Sequence, residues 1–446
     1  MIKDMTSGKP GKLLWAFSIP MLISAMFQQI YNIADSMIAG RFAGEDALAA
    51  VGASYPITMI FMAVAMGCNI GCAVLISQLF GGKKLREMKT AVTTTFLSSL
   101  VLSLVLTVVG LACTNPLMRM IDTPENVFAD AALYLRIYVG GLTFLFLYNV
   151  CTGIFNALGD SKTPLYFLIG SSVGNIILDL VFVISFGWGV AGVAWATFLA
   201  QGVSCILSLI TLQRRLRQIK TEEKPELFST VMLWKVSRVA VPSILQQSFV
   251  SIGNIFIQAL VNGYGSSAIA GYSAAVKLNT FAITSFTTLG NGISSFTAQN
   301  IGAGKAERVK KGYRAGAAMM LCIVLPFFVA FFFFKGSMVS LFMEESSVKA
   351  LQIGQSFLKI VSPFYFIISL KLLADGILRG AGAMKCFMAS TFSDLLFRVV
   401  LAYVFAGPMK LGTEGIWLSW PVGWTLATIL STFFYQKGFW KRAALS

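Results

Sequence analysis

Two aspartates stand in stretches that otherwise read as membrane-spanning helices: Asp35 in LISAMFQQIYNIADSMIAG and Asp179 in FLIGSSVGNIILDLVFVIS. A carboxylate inside a bilayer is costly, so such a residue usually faces a bundle interior or a watery cavity and is functional. Neither acid has a basic residue one turn away. Asn175 and Asp179 are spaced i, i+4 and share one helix face. Gln28, Asn32 and Asp35 recur at i, i+4 and i+7 and also share a face of an apolar helix. If the two faces converge, they offer hard oxygen ligands of the kind Na⁺ prefers, or a carboxylate pair that holds one proton between its two members. That chemistry points to ion-coupled transport.

Other charges sit in apolar surroundings further along. Lys371 and Asp375 are i, i+4 neighbours, as are Asp394 and Arg398. Each pair can neutralise itself, so both are expected to be structural ion pairs. Asp375 lies one turn before Arg379, and Lys277 is placed to snorkel toward an interface. Lys371, Asp375, Gln28, Asn32, Gln201 and Gln258 are candidates to line a cavity. Phe and Met are abundant, 37 and 19 residues, and could soften a cavity for aromatic cations. In a membrane protein most of them face lipid or pack helices, so no single drug contact is assigned.

The elements that must position these residues are helices. The chain has 446 residues, 56% hydrophobic and 12% charged, against about 25% charged in a soluble domain. Mean hydropathy is +0.76, and apolar runs of about 20 residues, the length that crosses a bilayer, recur throughout. Twelve helices are expected, near 13–40, 53–80, 90–114, 130–158, 164–186, 189–212, 235–262, 272–301, 312–334, 353–380, 385–406 and 414–436. The first run carries no small-residue cleavage site and is expected to remain as a membrane helix. The fold class is thus an all-α polytopic membrane protein.

The net charge of +16 does not imply a nucleic-acid partner, because the basic residues alternate between loops. They gather at Lys3, Lys9 and Lys12, at 83–89, at 214–224, at 305–314, and in the tail at Lys437, Lys441 and Arg442. The intervening loops are nearly free of them; the first has Arg41 against Glu45 and Asp46. Positive loops stay inside, so both termini are expected in the cytoplasm of a plasma-membrane protein. Cys68, Cys72, Cys113, Cys151, Cys205, Cys322 and Cys386 fall in or beside apolar helices and read as small hydrophobes. The chain has no histidine, which excludes histidine-based metal sites, catalytic dyads and proton relays. No cofactor is expected beyond a coupling ion.

The two halves resemble each other at an offset near 222. Pro20, Phe27, Asn32, Thr58 and Asn69 match Pro242, Phe249, Asn254, Thr280 and Asn291; Gln78 and Lys84 match Gln299 and Lys305 with one residue slipped. Gly153, Gly159, Gly189 and Gly192 match Gly376, Gly382, Gly412 and Gly415. Six helices per repeat send both copies into the membrane in the same direction, a parallel repeat. The expected domains are a six-helix lobe over 1–212, a cytoplasmic linker over 213–234 and a second lobe over 235–446. Two such lobes suit alternating access.

The stretches IPMLISAMFQQIYNIADSMIAGRFAG, SQLFGGKK, GIFNALGDSKTP, GNIILD, GVAGVAWATFLAQ and GILRGAGAMK occur in this order. Together they resemble the multidrug and toxic compound extrusion (MATE) family, over nearly the whole chain. The resemblance implies a two-lobed antiporter that exports small organic, often cationic, compounds in exchange for Na⁺ or H⁺ and works as a monomer in the bilayer. Family members with an amino-lobe cation site carry residues that match Asp35, Asn175, Asp179 and Thr197 here. The second lobe has Ile257, Arg398, Ala402 and Trp420 at the repeat-equivalent positions. Some members use acids on the seventh and tenth helices; the seventh here offers Gln258 and no acid. A flippase for a lipid-linked sugar is the alternative in the same superfamily, and predicts extra helices or a strongly cationic cavity. An intramembrane enzyme would need a nucleophile–base pair or metal ligands, and no such motif occurs. The topology has a direct test. Cysteines placed in 213–230 should be labelled from the cytoplasm and those in 263–271 from outside; labelling of both from one side would refute the twelve-helix order.

Overall fold

In the computed structural model, residues 2–221, 223–342 and 348–445 are described. The side chains of Glu45, Asp46 and Arg442, which entered the charge pattern above, lie outside the described set. Helices α1 (Pro10–Ile38), α2 (Glu45–Gly81), α3 (Leu85–Met120), α4 (Glu125–Gly140), α5 (Leu142–Ala157), α6 (Lys162–Leu180) and α7 (Gly189–Gln218) build the first half. The second half holds α8 (Thr230–Asn262), α9 (Ser266–Gly302), α10 (Ala306–Phe333), α11 (Lys335–Ser340), α12 (Val348–Val361), α13 (Tyr365–Ala381), α14 (Met384–Ala406) and α15 (Gly412–Gln436). Among the described residues there is no strand.

The twelve expected helices occur in order, but two of them are broken. The fourth is α4 and α5, bent by 48° at Gly141, where a Cβ would meet a Phe198 ring carbon at 3.1 Å. The tenth is α12 and α13, interrupted over Ser362–Phe364 by Pro363, which cannot donate the helical hydrogen bond. Among the described residues nine helices are long and apolar enough to span, or ten counting the bent pair. The other two are α9, of 37 residues, and α15, of 25; both carry more polar residues than the hydropathy pattern of a lone span allows. In α9 those residues are buried in the protein, among them Asn279, Ser294, Thr297, Gln299 and Asn300. A helix of 37 residues is roughly 55 Å long and overruns the ~30 Å hydrocarbon layer, which is why α2 and α9 exceed their expected bounds.

The chain forms two compact units whose membership crosses the expected boundary. One unit takes the residues up to Asp4 and Ile23–Ile244; the other takes Met5–Leu22 and Leu245 onward. The first half of α1 thus belongs with the second unit, and the first half of α8 with the first. Both changes fall just past a proline inside the helix, Pro20 and Pro242. The packing explains the membership. In the first unit, Gly67 and Gly71 of α2 form a small-xxx-small stripe that lets backbones approach closely; a Cβ on Gly71 would lie 2.6 Å from the Ala240 Cβ, and one on Gly67 would lie 3.0 Å from the Ile244 N. In the second unit, Gly292 of α9 packs on Ser18 of α1 in the same way. The segment before α1 is also held there: the Met5 N–H donates to Gln299 Oε1 (2.8 Å), Lys305 Nζ to the Thr6 carbonyl (2.9 Å) and Arg308 Nη1 to the Gly8 carbonyl (2.9 Å).

Backbone detail repeats between the units. Positive φ occurs at Gly44 and Gly265, Lys83 and Gly304, Gly159 and Gly382, Gly187 and Lys410, and Gly189 and Gly412, each pair separated by the offset of the sequence repeat. A Cβ on Gly192 would strike the Phe182 backbone, and one on Gly415 the Phe405 backbone, again at repeat-equivalent positions. Gly71→Leu should destabilise the protein by about 1–3 kcal/mol, the usual cost of overpacking, read as a lower melting temperature in detergent. An unchanged melt would mean that the first half of α8 does not lie against α2.

Candidate cation site and family

The structure brings Asp35, Asn175 and Asp179 together in the first unit. Asp35 ends α1 and Asp179 ends α6, and each is followed within a turn by a π-helical stretch, Ala39–Ala43 and Val181–Ser185. Among the described residues these are the two π-helical stretches. A π turn breaks the regular i→i−4 ladder and is frequent at functional sites. Asn175 and Asp179 are buried at 2% and 0% exposure.

The Asp35 and Asp179 carboxyls lie within hydrogen-bonding reach of each other. A hydrogen bond between two carboxyls requires a proton on one of them, because carboxylates only accept. The Asn175 amide, oriented to satisfy both its ends, donates to Asp179 Oδ2 (3.2 Å) and to the Tyr31 hydroxyl, and its carbonyl accepts from the Thr197 backbone N–H (3.0 Å). Asp35 Oδ1 and Asp179 Oδ1 are buried with no hydrogen-bond partner among the described residues. Buried polar atoms are normally satisfied, so two unpartnered acceptors in one helix pair are exceptional. No group of three or more Cys, Asp or Glu able to hold a metal forms among the described residues. An ion here would draw on two carboxyls plus neutral oxygens, a donor set that fits Na⁺ or H⁺.

Two contributors escaped the sequence reading. Tyr31, one turn before Asp35 on the same face, meets Asn175, and Tyr134 of α4 stands with it in electrostatic reach of both acids. The spacing of Tyr31 could have signalled it; nothing in the sequence tied Tyr134 to the site. Thr197 reaches Asn175 through its backbone. Gln28 donates to Asn32 (3.0 Å), so these two pair with each other one turn and more before Asp35. Gln201 lies half-buried on α7, one turn past Thr197.

In the second unit, Gln258 donates to Asn262 (2.8 Å). Lys371 is 2.9 Å from Asp375, as expected, and also 3.8 Å from Asp394. The expected Asp394–Arg398 pair does not form. The Lys371 stem reaches across to Asp394, and the Arg398 guanidinium lies over the Trp420 ring, 4.5 Å from its centroid. Lys277 is exposed beside the Phe342 ring. A groove lined by Ile367, Thr425, Thr428, Ile429 and Phe433 belongs to the second unit and contains none of the paired acids.

A two-unit helical membrane protein with a carboxyl pair inside its spans has the make-up of a transporter. The MatE family model matches residues 20–181 and again 242–404, one match per sequence repeat. The chain is 30% identical over 438 residues to the probable multidrug resistance protein YoeA of Bacillus subtilis (strain 168), covering 96% of this chain and 94% of that protein. It is 28% identical to the probable multidrug resistance protein YpnP of the same organism, covering 99% and 98%. A structure described as the outward-facing conformation of a multidrug resistance MATE family transporter superposes with a TM-score of 0.90 at 25% identity, covering 98% of this chain and 97% of that one. The chain belongs to the MatE family. It is a multi-pass membrane transporter and not an enzyme.

The Tyr31–Asn175 contact can be tested in isolation. Tyr31→Phe should lower stability by about 0.5–1.5 kcal/mol, the net worth of one hydrogen bond, measured by thermal unfolding in detergent. No loss would mean that the hydroxyl does not hold Asn175.

Proposed function

We propose that this protein is a secondary active efflux antiporter that exports small organic compounds in exchange for Na⁺ or H⁺ by alternating access. The observation that carries the reading is the Asp35–Asp179 carboxyl pair with its two buried, unpartnered oxygens. The multidrug resistance names of the relatives support the substrate class. Asp35 and Asp179 take the coupling ion. Asn175 orients Asp179, and the Thr197 N–H fixes the Asn175 amide. With the ion bound, the pair carries less negative charge and tolerates an apolar setting; without it, repulsion between the acids favours a more hydrated arrangement. The ion therefore interacts differently with the two states, as any ligand that shifts a conformational equilibrium must. The two sequence repeats serve as the moving lobes, both termini lie in the cytoplasm of the plasma membrane, the protein works as a monomer, and no cofactor beyond the coupling ion takes part.

Efflux from proteoliposomes under imposed Na⁺ and pH gradients, with an ethidium-like dye as substrate, tests this. Asp35→Asn and Asp179→Asn should each abolish gradient-driven export while the protein remains folded and inserted. Asn175→Ala should weaken it less, and Thr197→Ala least, because the backbone contact of Thr197 survives the change. Full gradient-dependent efflux in both aspartate variants would make the carboxyls structural and end the assignment.

A further inference from the structure

We propose that the second unit carries a counterpart of the cation site with its charge inverted, in which Arg398 and Trp420 bind the carboxylate or phosphate group of an aromatic organic anion. The inference rests on the transporter reading and names a substrate class for it.

The first argument is position. The register of the two family-model matches places Arg398 where the first unit has Asn175, and the 223-residue offset of Gly189/Gly412 and Gly192/Gly415 places Trp420 where it has Thr197. The contact is kept as well as the position. Asn175 of α6 meets Thr197 of α7, and Arg398 of α14 meets Trp420 of α15. Asp35 and Asp179 are replaced by Ile257 and Ala402, both fully buried and apolar. The same pair of helices thus presents a carboxylate and an amide in one unit and a guanidinium and an indole in the other.

The second argument is charge. Lys371, Asp375, Arg379 and Arg398 are at most 7% exposed. With Asp394 they form a cluster of three cations and two acids. Lys371 takes both acids. Arg379 meets the Asn291 amide and the Phe387 ring. That leaves Arg398 with no carboxylate in ion-pair range among the described residues, and its Nε–H has no acceptor. A buried cation with no counter-charge is strongly unfavourable, and within a membrane such a group marks a substrate or ion site.

The third argument is chemistry. A guanidinium is a planar fork of donors that matches a carboxylate or a phosphate through two parallel hydrogen bonds. The Trp417 and Trp420 indole N–H groups are further buried donors without acceptors. Trp420 and Trp424 pack edge to face at 5.8 Å, and Phe357 packs on Trp420 at 5.5 Å. Orphan donors beside aromatic faces suit a flat ring that bears a negative group, the complement of the orphan acceptors in the first unit.

Isothermal titration of the purified full-length protein in detergent decides the matter with three probes of one shape: 2-naphthoate, 2-naphthyl phosphate and 2-naphthylmethylammonium. At least one anionic probe should bind ten-fold or more tightly than the ammonium, and which anion binds identifies carboxylate or phosphate as the preferred group. Arg398→Gln should weaken the anion ten-fold or more and leave the ammonium unchanged. Equal binding of anion and cation, or anion binding unaltered in a folded Arg398→Gln variant, overturns the proposal and leaves a structural cation–π contact. Should Arg398→Gln fail to fold, Arg398→Lys, which keeps charge and loses the fork, must weaken the anion at least three-fold; unchanged affinity there overturns it equally. Binding in detergent uses no gradient, so a failure of dye export would count against the antiport reading and not against this site.

Discussion

The constraint on which the architecture turns is the cost of holding two carboxyl groups against each other in a membrane-embedded helix pair. Two charged acids at contact repel and are poorly solvated there. A proton or a cation held between Asp35 and Asp179 would relieve that cost. The surroundings fit that arrangement. Asn175 takes one oxygen of Asp179, Tyr31 and Thr197 fix Asn175, and one oxygen of each acid is left over. The π-helical stretches beyond both acids occur in the same place and have no counterpart in α8 or α14. The local irregularity follows the chemistry and not the repeat.

Much of this was legible in the sequence because membrane helices obey few rules. Apolar length gave the spans, and the i, i+4 spacing put Asn175 and Asp179 on one face. The order of Pro20/Pro242 and of the paired glycines gave the repeat, whose register recurs in the positive-φ positions and in the two family-model matches. The breaks were not legible. Gly140 and Gly141 sit within a continuous apolar run, and a glycine pair permits a bend without saying how far the helix bends. The exchange of the first halves of α1 and α8 was hidden too, since it depends on Gly67, Gly71 and Gly292 meeting residues far away in sequence. Local spacing also misled at Asp394 and Arg398. An i, i+4 acid–base pair is a good rule for a lone helix, but Lys371 on a neighbouring helix competes for the acid, and a planar guanidinium has an alternative in the Trp420 face.

The two units share a backbone plan and differ in what they place at one equivalent spot. Duplication fixes where α6 meets α7 and where α14 meets α15; substitution then sets the sign. The close helix contacts at the glycines at 192 and 415 are common to both copies, whichever charge they carry.

Infrared difference spectroscopy of the purified protein tests the central claim most directly, because a protonated carboxyl in a dry site has its own carbonyl stretch. The account predicts one such band that is lost on raising pH or adding Na⁺, and that is missing or displaced in Asp35→Asn and Asp179→Asn. A spectrum with no protonated carboxyl, or a band unchanged in both variants, would contradict it.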